Sequence, residues 1–132
     1  MNLMSKHYDR VYYEGSDRNP LHLYGIAVRP GWYNLVNELA DKIAEIDPEQ
    51  KIKFLQIKEK FGGLRFYTDH TNFTLEKDRY LYNAETKLIA EYESKSYQIC
   101  EVCGKEGKLR NEFKWMKTLC DEHAEEYRKS RE

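Results

Sequence analysis

The stretch "CEVCGKEGKLRNEFKWMKTLCDEH" (residues 100–123) carries two pairs of side chains that commonly ligate metals. Cys100 and Cys103 are spaced C-x2-C, and Cys120 and His123 are spaced C-x2-H. Two-residue spacers allow both members of a pair to reach one ion, and four such ligands suit tetrahedral zinc. We therefore predict that these four side chains bind one zinc ion.

The residues around the two pairs predict how this segment folds. Gly104 relieves crowding where the chain turns back over the metal, and residues 108–119 suit a short hairpin. Residues 120–131 read as a helix with Cys120 and His123 in its first turn, where acidic neighbours suit the positive helix end. A knuckle, a hairpin and a helix in this order resemble the treble-clef zinc finger.

The ligand set favours a structural metal over a catalytic one. Three cysteines and one histidine leave no open coordination position for water, and three thiolates make the ion a poor Lewis acid. An odd number of cysteines without a secretion signal also argues against a disulfide framework. His7, His22 and His70 have no matched partner in the sequence, so we expect surface or capping roles for them.

Upstream of the cysteines, the hydrophobic periodicity predicts a helix followed by a hairpin. A helix over about 32–46 is predicted from apolar residues at helical spacing, and "DPEQ" (residues 47–50) ends it. Two alternating stretches over about 51–68 predict an antiparallel hairpin with Gly62 and Gly63 at the connection. The helical stripe consists of Trp32, Leu35, Val36, Leu39, Ile43 and Ile46.

A second amphipathic helix is predicted over about 75–96, with Leu81, Ala84, Leu88 and Tyr92 as its apolar stripe. Residues 1–31 show no clear period, but alternation within residues 21–28 predicts a strand that joins the sheet. The predicted fold class is α+β, with a small antiparallel sheet and packed helices. Residues 1–96 form the predicted main domain, and residues 97–132 form the zinc module packed on it.

The charge distribution singles out the hairpin. The formal net charge of −1 argues against a protein that binds duplex DNA. Basic residues are nevertheless concentrated in the hairpin, which follows an acidic helix. Lys58, Lys60, Arg65 and Tyr67, together with Arg110, form a candidate surface for a ligand that carries phosphates and bases. The alternative is a solvated basic face in which Arg65 pairs with Glu38 or Asp41 of the preceding helix.

The amino-terminal residues and the distribution of apolar residues predict the cellular compartment of the protein. The 132-residue chain has no run of eighteen apolar residues, which a membrane-spanning helix would need. Its first fifteen residues, "MNLMSKHYDRVYYEG", lack the apolar core and cleavage site of a secretory signal. We therefore expect a cytoplasmic protein without a membrane partner.

Three stretches together resemble a group of small uncharacterised proteins found in bacteriophage and prophage genomes. They are "GWYNLVNELADKI" (residues 31–43), "IKEKFGGLRFY" (residues 57–67) and "ICEVCGKEGKLR" (residues 99–110) followed by "TLCDEHA" (residues 118–124). The resemblance implies one unit that joins helix, hairpin, second helix and zinc module. It also implies a role in the cytoplasm of a bacterial host, acting on a host component.

These observations favour a non-catalytic zinc-stabilised interaction protein. The sequence contains no Gly-x-Ser-x-Gly, no His-Glu-x-x-His and no phosphate-binding P-loop. The segment 108–119 also lacks the histidine that treble-clef nucleases of the His-Asn-His type carry. Two alternatives stay open. One is a binder of nucleotides or single-stranded nucleic acid that uses the basic hairpin, including sequestration of a signalling nucleotide. The other is an enzyme of unrecognised type.

Overall fold

A computed structural model describes His7, Arg10, residues 26–74 and residues 76–131. The main elements in chain order are β1 (Ile26–Ala27), a 3-10 turn (Pro30–Trp32), α1 (Tyr33–Ile46), β2 (Lys53–Lys60), β3 (Gly63–Asp69), α2 (Arg79–Ser96), β4 (Lys108–Arg110), β5 (Lys117–Leu119) and α3 (Asp121–Ser130). Among the described helices, none combines the length and the apolar character that a membrane crossing requires.

Helix α1 confirms the first predicted helix almost residue for residue. Pro30 starts the preceding 3-10 turn, where its fixed φ favours the entry into a helix. The side chains that face the core are buried, and Trp32 and Leu39 are fully so. Ile46, the last member of the predicted stripe, is only half-buried because it lies at the helix end.

The larger sheet has three strands in the order β1, β2, β3. Strands β2 and β3 form the predicted antiparallel hairpin, with Lys58 opposite Arg65. The amino-terminal region supplies a strand, as predicted, but β1 runs parallel to β2 and pairs Ile26 with Ile57. The sheet is therefore mixed at this edge instead of wholly antiparallel. Residues 21–25 of the predicted strand lie outside the described residues.

A β-bulge in β2 explains why the buried residues of this strand change phase. The register against β3 shifts between Phe54 and Gln56, so one extra residue enters β2 there. Before the bulge, Phe54 faces the core, and after it Ile57 does. A strand without a bulge would turn one of these two side chains to the opposite face.

Gly62 turns the chain, whereas Gly63 makes room for a neighbouring ring. Phe61 and Gly62 join β2 to β3 and have φ values of 55° and 85°, the positive φ pair that characterises a type I′ hairpin turn. Gly63 begins β3, and a Cβ there would lie 2.4 Å from the ring of Tyr97. The turn prediction is thus confirmed for one glycine, and the second has a packing role.

Helix α2 begins at Arg79, several residues later than the predicted start near residue 75. The side chain of Asp78 explains the delay, because it accepts a hydrogen bond from the backbone N–H of Thr74 (2.7 Å) and from Lys51 Nζ (2.9 Å). These bonds hold residues 76–78 in a turn ahead of the helix. Leu75 lies outside the described residues.

The larger of two buried hydrophobic clusters in the described residues joins α1, the β2–β3 hairpin and α2. Its largest fully buried side chains include Trp32, Phe54 and Tyr92. Tyr92 donates a hydrogen bond to Glu38 Oε1 (2.9 Å), and burial together with this carboxylate raises the pKa of Tyr92 to about 12. The α+β fold class is therefore confirmed, while the division into residues 1–96 and 97–132 stays a prediction.

A buried ion pair attaches Arg10 to the end of α1. Arg10 Nη1 lies 2.6 Å from Asp47 Oδ2, and Arg10 Nη2 donates to the Asp47 carbonyl at the same distance. The Asp47 carboxylate also accepts the backbone N–H groups of Lys51 (3.0 Å) and Ile52 (2.8 Å). Because both side chains are almost fully buried, the charge of Asp47 depends on these partners.

Arg10→Ala is therefore expected to lower the free energy of unfolding by about 3 kcal/mol, since removal of one partner leaves a buried charge uncompensated. Urea unfolding followed by circular dichroism measures this change. The matched control is Arg128→Ala, which removes an exposed arginine paired with Glu112 and Glu125 and should change stability little. Equal effects of the two variants would contradict the structural role of Arg10.

Candidate metal centre

The first ligand pair lies in a tight turn that follows α2. Gly104 has a φ of 83°, and its N–H donates to the carbonyl of Cys100 (2.9 Å). The N–H of Cys100 in turn donates to the carbonyl of Lys105 (2.7 Å), which brings the chain back alongside itself. This turn places Cys100 and Cys103 on one side, as the C-x2-C spacing and Gly104 predicted.

The second pair lies at the start of α3. Cys120 precedes the first helical residue and has extended backbone angles, and its Sγ accepts the backbone N–H of His123 (3.5 Å). His123 follows in the first turn of the helix. Strand β5 ends at Leu119, the residue before Cys120. The short β4–β5 hairpin therefore places the second pair next to the first pair.

The four predicted ligand atoms converge within 4.8 Å of one another. Cys103 Sγ lies 3.8 Å from Cys120 Sγ, and His123 Nδ1 lies 3.6 Å from Cys100 Sγ and 3.1 Å from Cys120 Sγ. Tetrahedral zinc with sulfur ligands at about 2.3 Å would separate two sulfurs by about 3.8 Å. The group therefore has the donor atoms and the spacing to bind a metal ion.

Local hydrogen bonds prepare Cys100 for this role. Burial raises the pKa of its thiol, but hydrogen bonds from the backbone N–H groups of Cys120, Cys103 and Val102 more than offset that effect and lower the pKa from 9.0 to about 6. A thiolate is the form that binds metals. Cys100 is buried, Cys120 and His123 are half-buried and Cys103 is exposed, so the cluster lies close to the surface.

Several contacts attach the segment that carries the four candidate ligands to the rest of the chain. The N–H of Gly31 donates to the Glu101 carbonyl (2.8 Å), and Trp32 Nε1 donates to the Ile99 carbonyl (2.8 Å). At the other end, Thr118 Oγ1 donates to the carbonyl of Gly62 (2.6 Å). The segment thus packs against both the start of α1 and the turn of the β2–β3 hairpin.

Glu101, between the first two cysteines, is a buried carboxylate with incomplete partners. Its Oε1 lies 3.6 Å from Arg29 Nη1 and 3.7 Å from Lys117 Nζ, and within the described residues it has no hydrogen bond. Burial raises the pKa of Glu101, and the two cations oppose that effect.

Arg110, a predicted ligand-binding residue, has structural partners in this segment. Its Nε and Nη2 donate to the Leu119 carbonyl (3.2 and 3.0 Å), and Nη2 also donates to Asp121 Oδ1 (2.8 Å). These bonds tie β4 to the first residue of α3. Arg110 therefore supports the position of the second ligand pair, and a ligand-binding role for it stays a prediction.

The predicted hairpin residues share one face of the sheet. Lys58 lies opposite Arg65, and Tyr67 lies opposite Gln56, while Lys60 is exposed near the turn. Arg65 Nη1 bonds to the Leu64 carbonyl (3.0 Å) and contacts the Tyr97 hydroxyl at 3.5 Å. The pairing of Arg65 with Glu38 or Asp41, which we considered from sequence, is not made: Glu38 bonds to Tyr92 and Asp41 to His7.

Two histidines that have no matched partner in the sequence have carboxylate partners in the structure. His7 is buried and its Nε2 lies 2.7 Å from Asp41 Oδ1, and His70 Nε2 lies 2.5 Å from Glu85 Oε2. The predicted surface position is therefore wrong for His7, whereas the side chain of His70 is 30% exposed. His22 lies outside the described residues. The sequence does contain one signal for the contact of His70. Glu85 is a carboxylate on the apolar stripe of α2, four residues after Leu81, where a buried partner is needed.

Comparisons with family models, with curated proteins and with solved structures found no match for this chain.

Proposed function

We propose that Cys100, Cys103, Cys120 and His123 bind one structural zinc ion in a treble-clef-like arrangement. The supporting observation is the convergence of three sulfurs and one imidazole nitrogen within 4.8 Å of one another. Soft thiolates and imidazole favour zinc among the common divalent ions, and four protein ligands leave no position for a reacting water. The ion then holds the turn, the β4–β5 hairpin and α3 together.

We further propose that the protein is a non-catalytic interaction module, and that its contact surface lies beside this zinc site. Phe61, Leu109 and Trp115 form what we call the hairpin-tip surface. Phe61 and Trp115 are each 63% exposed. A Cβ on Gly62 would lie 2.5 Å from Leu109 Cδ1 and 3.3 Å from the backbone of Met116, so the tips of the two hairpins are in contact. Exposed aromatic residues grouped in this way are typical of interaction sites.

The charges around the hairpin-tip surface favour an acidic partner. An exposed lysine directly precedes each of its members: Lys60 before Phe61, Lys108 before Leu109 and Lys114 before Trp115. Lys60 Nζ lies 5.5 Å from the ring centroid of Phe61. Aromatic anchors with a basic rim match an acidic protein surface in both chemistry and charge. The resemblance to phage and prophage proteins favours a host protein as that partner.

A variant-dependent capture experiment tests the interaction function. The zinc-loaded chain, the double variant Phe61→Ser/Trp115→Ser and the control Tyr80→Ser are used as baits in a bacterial lysate. Tyr80 is 86% exposed on α2, outside the hairpin-tip surface. We expect the wild type and the control to enrich the same protein, and the double variant to lose it. The purified partner should then bind directly, and more weakly at higher salt.

Equal capture by all three baits, or no direct binding by the purified partner, would contradict the proposed surface.

The second candidate is a binder of nucleotides or single-stranded nucleic acid. The observation that favours it is the common face of Lys58, Arg65 and Tyr67, which adjoins exposed Lys60 and Phe61. Basic side chains interleaved with aromatic rings are the usual means of holding a single strand.

Lys60→Ala tests this candidate. Trp115 is exposed and Trp32 is fully buried, so a change in tryptophan fluorescence reports a ligand near the hairpin tips. If Lys60 contacts a phosphate, Lys60→Ala should weaken oligothymidylate binding and lower the salt slope by about 1, with the melting temperature unchanged. Lys87→Ala, an exposed lysine of α2, is the matched control. Absence of binding by the wild type at low salt would exclude this candidate.

A further inference from the structure

A cavity of about 590 Å³ opens where β3 gives way to α2, at the end of the hairpin away from the Phe61–Gly62 turn. Its volume lies in the range of small-molecule sites, roughly 300–1,000 Å³. Aromatic and polar side chains share its wall: His70, Phe73, Asp78, Arg79, Tyr82 and Asn83. None of these residues belongs to the metal centre or to the hairpin-tip surface.

A buried carboxylate fixes the position of His70 in this cavity. Glu85 is fully buried, and its two oxygens accept hydrogen bonds from His70 Nε2 and Thr68 Oγ1. A buried carboxylate requires such partners, so the imidazole has a defined orientation. In the neutral imidazole with its Nε2 proton directed at Glu85, Nδ1 is an acceptor, and the described part of the chain offers it no hydrogen bond.

Two aromatic rings contact the imidazole of His70. The imidazole centroid lies 4.8 Å from that of Phe73 and 5.1 Å from that of Tyr82, the second pair at an interplanar angle of 76°. Tyr82 is 45% exposed at the mouth of the cavity. A planar ring entering here would gain stacking and edge contacts that a flexible aliphatic ligand would not.

The charges at the mouth favour an anionic substituent on that ring. Asp78 is paired with Lys51 Nζ (2.9 Å), which offsets its repulsion of an anion. Arg79 is exposed on the first turn of α2, and across residues 26–74 and 76–131 no ion pair occupies its guanidinium. Arginine binds carboxylate and phosphate through two parallel hydrogen bonds, so this side chain suits either group.

We propose that this cavity binds a planar aromatic ring that carries an anionic group. The ring packs between Phe73 and Tyr82, a donor on the ring bonds to His70 Nδ1, and the anionic group pairs with Arg79. A nucleoside monophosphate and an aromatic carboxylate share this chemistry. The site is separate from the proposed zinc centre, so its occupancy does not depend on the proposed interaction function.

Titrations observed by amide NMR on the zinc-loaded chain test the site. The probes are adenosine 5′-monophosphate, adenosine, benzoate and inorganic phosphate. Adenosine 5′-monophosphate or benzoate is expected to bind saturably and to shift the amide resonances of His70 and Tyr82. Inorganic phosphate should bind weakly because it lacks the ring. Preference for adenosine 5′-monophosphate over adenosine identifies a nucleotide site, and preference for benzoate identifies an aromatic acid site.

Two pocket variants and one control locate the binding. Arg79→Ala should weaken binding of the anionic probe about tenfold and leave adenosine binding unaffected, as expected for loss of a solvent-exposed charged contact. Tyr82→Ser should weaken every ring-bearing probe about tenfold through lost stacking. The matched control is Tyr80→Ser, two residues away on the same helix and outside the cavity wall. No saturable binding by any probe, or binding unchanged in both pocket variants, would overturn the proposal.

Discussion

Leu39→Asp is expected to abolish cooperative folding of the chain. Leu39 is fully buried at the centre of the α1 stripe, within the cluster that also contains Phe54 and Ile57 of β2. A carboxylate placed there has no partner, and burial of an unpaired polar or charged group costs several kcal/mol. Domains of this size have about 5–15 kcal/mol of stability in total, so this single change removes much or all of it.

Thermal melting followed by circular dichroism measures the effect, and Leu39→Met is the control. Methionine has a similar volume and no charge, so Leu39→Met should cost less than about 1.5 kcal/mol and melt cooperatively. A Leu39→Asp variant that remains soluble and melts cooperatively near the wild-type temperature would show that the stripe of α1 does not form the core.

The second large effect concerns the metal ligands. Cys103→Ser should release the ion and unfold the segment from residue 97 to residue 131, because this segment has only a small buried cluster around Cys100, Leu119 and Ala124. Structural zinc contributes about 10–16 kcal/mol of apparent folding free energy in isolated zinc fingers. The melting temperature of the whole chain should also fall, since Thr118 and Ile99 join this segment to the hairpin and to Trp32.

Hydrogen exchange read by mass spectrometry locates the loss of structure. Peptides from residues 97–131 should lose protection in Cys103→Ser, while peptides from α1 and β2 retain most of theirs. Lys105→Ser changes an exposed residue of the same turn that is not a ligand and should behave as the wild type. Unchanged protection in Cys103→Ser would mean that the segment folds without its metal.

The Cys/His cluster and α1 were the parts most accessible from sequence, because each is encoded by local spacing. The two C-x2 pairs and Gly104 predicted which side chains meet, and the 3.6-residue period predicted α1 to within a residue. The Gly62 turn was accessible for the same reason. Each of these features depends on neighbours a few residues apart.

The features that the sequence did not reveal depend on distant partners. His70 meets Glu85 only because α2 packs back along β3, and Arg10 reaches Asp47 across 37 residues. The bulge in β2 was hidden because Ile52 and Phe54 alternate regularly before it. Helix α2 starts late because Asp78 is bonded to Thr74 and to Lys51, which lies 27 residues earlier in the chain. Periodicity carries no information about such contacts.

The most direct test of the central claim is native mass spectrometry of the chain purified without added metal. We predict a folded species that carries one zinc ion, lost together with the fold of residues 97–131 when a strong chelator is added. In Cys103→Ser the same measurement should find the metal-free mass. A folded wild-type species without metal, whose spectrum and melting temperature do not change with chelator or with added zinc, would contradict the proposed zinc centre.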